Sequence, residues 1–132
     1  MAKLSNIRTD LDLEREGLWE EFEGIRFKIG LLKHGLDAEI ESLGAPFRHK
    51  LRDDRLTEEE AERLLLSALG DRVVTDWEDM EDETGAPIPW TPEKCRELLA
   101  DPEYALWREW VMAKAKDRSR FLQSLREDAL GN

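Results

Sequence analysis

A chain of 132 residues has room for one domain with a core of its own, and 40% hydrophobic residues with five tryptophans exclude wholesale disorder. A formal charge of −11 excludes the clustered Lys and Arg of a nucleic-acid footprint and disfavours an anionic membrane surface. The single Cys95 leaves no internal disulfide, which fits a reducing cytosol, and no long apolar run marks a leader or a membrane span.

Residues 1–16 carry little periodicity and are expected to form a flexible arm. The stretch GLWEEFEGIRFKIG, residues 17–30, predicts a β-hairpin, because Ile25, Phe27 and Ile29 alternate with Arg26 and Lys28. A two-residue turn at Glu23–Gly24 sets Phe22 opposite Ile25, Glu21 opposite Arg26 and Trp19 opposite Lys28. Leu18, Phe22, Ile25, Phe27 and Ile29 then share a face, interrupted by Glu20. A lone hairpin is marginal in water, so this one must pack on helices or extend a neighbour's sheet.

From Leu36 the period becomes helical: Leu36, Ile40 and Leu43 fall on one stripe, and Phe47 and Leu51 resume it after Pro46. Thr57 and Glu60 form a capping-box pattern that opens a helix through Ala61, Leu64, Leu65, Ala68 and Leu69, with Gly70 as its stop. Residues 71–90 are the least regular, with Val73–Val74 as a short strand or a helix end and a turn at residues 82–85. Thr91-Pro92-Glu93 caps a further helix, and Asp101-Pro102-Glu103 repeats the device ten residues later. The last helix is expected over 102–128, with Leu106, Trp107, Trp110 and Val111 on one side and Phe121, Leu122 and Leu125 as a second cluster. The polar stretch 114–118 between them implies that residues 113–132 project from a globular domain spanning 17–112. The expected class is α+β, mostly α-helical: a small N-terminal hairpin followed by four or five helices.

Little in the sequence points to catalysis. The acid run at residues 76–83 invites a hard cation, but the EF-hand pattern fails, since Gly85 as sixth loop position puts Met80 where a carboxylate is required. A solvated acidic turn is the simpler reading. His34 and His49 lack the spacing of a helical metal pair, and Cys95, though flanked by Lys94 and Arg96, reads as an ordinary helical cysteine. Phosphate-loop, nucleophile-elbow and HExxH motifs are missing from the sequence. The expectation is a non-enzymatic protein with no cofactor and no metal.

The stretch DWEDMEDETGAPIPWTPEKCRELLADPEY, residues 76–104, resembles a recurring segment of tail assembly chaperones of long-tailed double-stranded DNA bacteriophages. Trp77, Glu81, Asp82, Gly85, Pro87, Ile88, Pro89, Leu98, Leu99, Asp101 and Pro102 carry the likeness, and WEEFEGIRFKI is similar to the strand pair that precedes the helices of these proteins. The resemblance implies a chaperone that binds the tape measure protein, promotes tail tube assembly around it in the host cytoplasm and is absent from the mature virion. A head–tail connector, or another small acidic adaptor, is the alternative. Partner contact is expected at Trp77, Trp107, Trp110 and Phe121, since Trp is enriched at binding hot spots. Homo-oligomerisation by strand addition is expected at Ile25, Arg26 and Phe27.

Overall fold

Strand alternation in IRFKI is realised as read. In the computed structural model, which describes residues 1–32, 44–45, 49 and 57–122, β1 (Leu18–Phe22) and β2 (Ile25–Ile29) pair antiparallel. Phe22 faces Ile25, Glu21 faces Arg26 and Trp19 faces Lys28. The turn holds Glu23 at φ 50° and Gly24 at φ 81°, the two positive values that match a tight turn to the twist of its strands.

The expected fold class needs correction. The hairpin does not stand alone ahead of a helical remainder: a third strand, β3 (Val74–Glu78), pairs antiparallel with the other side of β2, giving a sheet of order β1-β2-β3. Arg26 faces Glu78, Phe27 faces Trp77 and Lys28 faces Asp76, with an irregularity between Lys28 and Ile29. The reason is the accounting of backbone polar groups. A hairpin leaves one whole row of β2 unpaired, and burying Phe27 (2% exposed) and Ile29 (0%) against helices would bury that row as well. β3 satisfies it.

Among the described residues four α-helices accompany the sheet. Asp10 opens α1 (Leu11–Glu16) by accepting from the Leu13 amide at 3.2 Å. The helix α2 (Glu58–Val73) starts at Thr57, whose Oγ1 accepts from the Glu60 amide at 3.2 Å. α2 runs past Gly70 instead of stopping there. A Cβ at Gly70 would run into the Leu99 side chain, so this glycine makes room for Leu99. Val73 ends the helix and Val74 begins β3, which divides the apolar pair between two elements. Thr91 caps α3 (Pro92–Ala100), its Oγ1 accepting from the Lys94 amide at 3.1 Å. A 3-10 turn, Pro102–Tyr104, leads into α4 (Ala105–Lys116).

α4 ends twelve residues earlier than the periodicity predicts. Asp117 accepts from the amide and hydroxyl of Ser119, a local alternative to helical bonding, and a 3-10 turn follows at Arg118–Phe121. The basic residues here have acidic partners in the N-terminal half. Arg120, with its side chain 7% exposed, reaches Glu20 at 3.1 Å and the Ile29 carbonyl at 3.2 Å. Lys114 lies 3.7 Å from Glu20, and Arg118 lies 3.4 Å from the buried Glu14. Glu20, the interruption in the hairpin's apolar face, is thus the anchor of this tie. The amide of Asp10 also donates to the Phe121 carbonyl at 3.0 Å.

One core joins the sheet to the helices: Phe27, Ile29, Leu66, Val73, Val74, Trp77, Leu99, Trp107, Val111 and Met112 are all buried in it. Each of the larger side chains contributes roughly 1.5–3 kcal/mol. The stripe Leu36–Ile40–Leu43, the first-turn Pro46, and Phe47, Leu51 and Leu125 lie outside the described residues.

Candidate partner-binding cleft

The acidic run between β3 and α3 folds back on itself. Asp82 organises it: its carboxylate accepts from the Thr84 hydroxyl at 2.6 Å, the Thr84 amide at 2.9 Å and the Ala86 amide at 3.0 Å. These donors, the Thr84 hydroxyl foremost, hold Asp82 below the ordinary carboxylate range. Asp79 at φ 66° reverses the chain, the Ile88 amide donates to the Met80 carbonyl at 2.8 Å, and Glu81 bridges to Pro87. Two indole bonds then pin the C-terminal end of the loop to the sheet: Trp77 Nε1 donates to the Ile88 carbonyl at 2.8 Å, and Trp90 Nε1 to the Val74 carbonyl at 3.1 Å.

Pinned in this way, the loop overhangs the tip of the hairpin and encloses a cleft of about 460 Å³. Phe22, Ile25 and Phe27 of the hairpin, Leu98, Tyr104 and Trp107 of the helical segments, and Met80 and Ile88 of the loop line it. Glu23, Glu81, Asp82 and Glu83 line it as well, against one cation, Lys94. The lining is mostly apolar with a strongly acidic mouth. Trp107 brings a further feature, a buried Nε1–H with no acceptor among the described residues.

The residues expected to carry partner contact are gathered, but inward. Trp77 (5% exposed) and Trp107 (8%) are buried, and Trp110 is half-buried. All three rings surround Phe27, with centroids 6.5, 5.2 and 5.9 Å away, and Trp110 also meets Phe22 at 5.0 Å. Phe121 is fully buried elsewhere, at the tie between the N-terminal segment and the turn after α4, under the Arg120 guanidinium at 4.7 Å. Of the residues expected in self-association, Ile25 and Phe27 line the cleft, while Arg26 is exposed, pairs with Glu78 and covers Trp19 at 4.9 Å. All three sit on the central strand, so the open sheet edges among the described residues are those of β1 and β3.

Sequence reasoning missed Met80, Ile88, Leu98 and Tyr104 as members of one site. The available signal was an apolar residue inside an acid run, Met80, with another held between prolines, Ile88. Cys95 is fully buried with its Sγ 3.5 Å from the Val74 carbonyl, and burial pushes its thiol up to about 12. That is the reverse of what an activated nucleophile requires. Among the described residues no group of three or more His, Cys, Asp or Glu is placed to hold a metal ion, and no helix is long and apolar enough to cross a membrane.

A family model described as YdaY prophage protein matches residues 33–132. No curated protein and no solved structure matches the chain. The matched stretch contains α2, β3, the acidic loop, α3 and α4, whereas β1 and β2 precede it.

Proposed function

Because the chain belongs to the YdaY prophage protein family, we propose that it acts in phage assembly without catalysis, as a tail assembly chaperone. In this reading it binds the tape measure protein in the host cytoplasm, keeps it soluble while tail tube protein assembles around it, and leaves before the virion is complete.

The observation that carries the reading is the cleft. An apolar recess with an acidic mouth, on a chain of net charge −11, combines a surface for gripping an apolar partner with the charge that keeps the complex in solution. The segment that resembles the tail assembly chaperones supplies Met80, Ile88, Leu98 and Tyr104 of this lining, and Ile88 and Leu98 are among the residues that carry the likeness. The buried tryptophans contribute by fixing the walls and the overhang, so their role in binding is to hold the surface in shape.

Affinity purification of the tagged chain from cells producing the phage tests the proposal. Recovery of the tape measure protein with the chain, together with the chain's absence from purified particles, is the expected result. Stoichiometric presence in particles would replace the chaperone with a structural component, such as a head–tail connector.

A further inference from the structure

The chemistry of the cleft specifies its occupant more narrowly than an apolar partner. Glu23, Glu81 and Glu83 line its mouth, and none of them is paired with a cation among the described residues. Asp82 adds a fourth carboxylate, and Lys94, the one cation, already lies 3.5 Å from Glu97. A purely apolar occupant would strip water from these carboxylates and return nothing, which is costly. An occupant that brings cations to the mouth relieves their mutual repulsion and replaces the lost water.

The backbone decides the occupant's conformation. Of the strand residues in the lining, Ile25 and Phe27 belong to the central strand, which is bonded on both sides, and Phe22 is the last residue of the edge strand β1, so an extended segment would meet a sheet edge at one residue of the lining only. A helix needs no such edge, and it can carry a ridge of apolar side chains at three- and four-residue spacing with charges on either flank.

We propose that this cleft binds an amphipathic helix whose apolar ridge is flanked by lysine or arginine. The inference rests on the chaperone reading and deepens it, because it specifies which kind of tape-measure segment the chain grips.

Two synthetic helical peptides with the same leucine ridge, one flanked by lysines and one by glutamates, are titrated calorimetrically into the full chain. The lysine peptide should bind at least tenfold more tightly than the glutamate peptide. Its affinity should fall about five- to tenfold in the Glu23→Gln/Glu81→Gln/Glu83→Gln variant, and similarly between about 50 mM and about 500 mM salt. These positions are exposed, so the variant keeps the fold. Equal binding of the two peptides, unchanged binding by the variant, or no binding of either overturns the inference. Retention of the tape measure protein by the triple variant at the wild-type level would remove the cleft as the grip and leave the chaperone function standing. Binding of the lysine peptide by a chain that never retains tape measure protein would do the opposite.

Discussion

Arg108 is 1% exposed on a helix whose neighbouring residue Leu106 is 77% exposed, an inversion of the pattern that hydrophobicity predicts. Its guanidinium donates to the carbonyls of Leu99 and Asp101, both at 3.2 Å, and reaches Glu59 at 3.3 Å. These carbonyls lie at the C-terminal end of α3, where a cation is favoured and where unpaired oxygens would otherwise be buried. Arg108→Ala should therefore destabilise by about 2–4 kcal/mol, read as a lower urea midpoint at unchanged slope. Glu59→Gln should cost less than about 1 kcal/mol, because Glu59 is 59% exposed and water screens the pair. Equal effects from the two substitutions would place the stabilisation in the ion pair instead of the cap. Cys95 makes a second claim at this scale. Its thiol ionises at about 12 in the fold against 9.0 ordinarily, so folded and unfolded chains bind its proton equally below pH 9. Above that the unfolded chain loses the proton first, and stability falls as pH climbs from 9 towards 12. Urea melts of wild type and Cys95→Ala across this range should converge on a smaller loss for the variant.

Within single elements, the acidic loop illustrates how charge can organise a turn without a metal. Asp82 satisfies three donors of the loop, and since those donors lower its pKa, the closure is complete above the ordinary carboxylate range and weakens as pH falls through the folded value. Asp82→Ala should open the loop locally: amide exchange at Thr84 and Ala86 should accelerate while the global urea midpoint barely moves. Exchange at wild-type rates would mean that Trp77 and Trp90 hold the loop alone. Element by element, legibility followed how local the cause was. The hairpin register and the caps at Thr57, Thr91 and Asp101 depend on residues within a few positions of each other, and the structure shows them as the sequence reads. β3 was half-legible, because Val74-Thr75-Asp76-Trp77-Glu78 has strand residues but needs β2 beside it, forty-eight positions away at the Lys28–Asp76 pairing, to become a strand. The end of α4 was hidden behind one side chain, Asp117, whose preference for its own turn overrode the apolar spacing of Phe121 and Leu122.

For the whole molecule, the two ends of the described chain determine each other. Arg118 and Arg120 neutralise Glu14 and Glu20, and the amides of Leu31 and Leu32 donate to the carbonyls of Glu14 and Ala115 at 2.7 and 2.8 Å. Residues 1–32 precede the family match and yet supply two of the three strands and, with Phe22 and Phe27, half of the cleft's aromatic lining. The cleft itself was the least legible feature, since its lining comes from the hairpin, the loop, α3, the 3-10 turn and α4 at once. What composition did convey was the surplus of carboxylates, and their gathering at the mouth of an apolar recess links that surplus to the proposed partner. The most direct test of the chaperone account is the soluble fraction of the tape measure protein when it is produced with or without this chain. The account predicts that tape measure protein stays soluble and co-elutes only when the chain is present. Tape measure protein that precipitates equally in both cultures, or that is soluble in both without binding the chain, would contradict it.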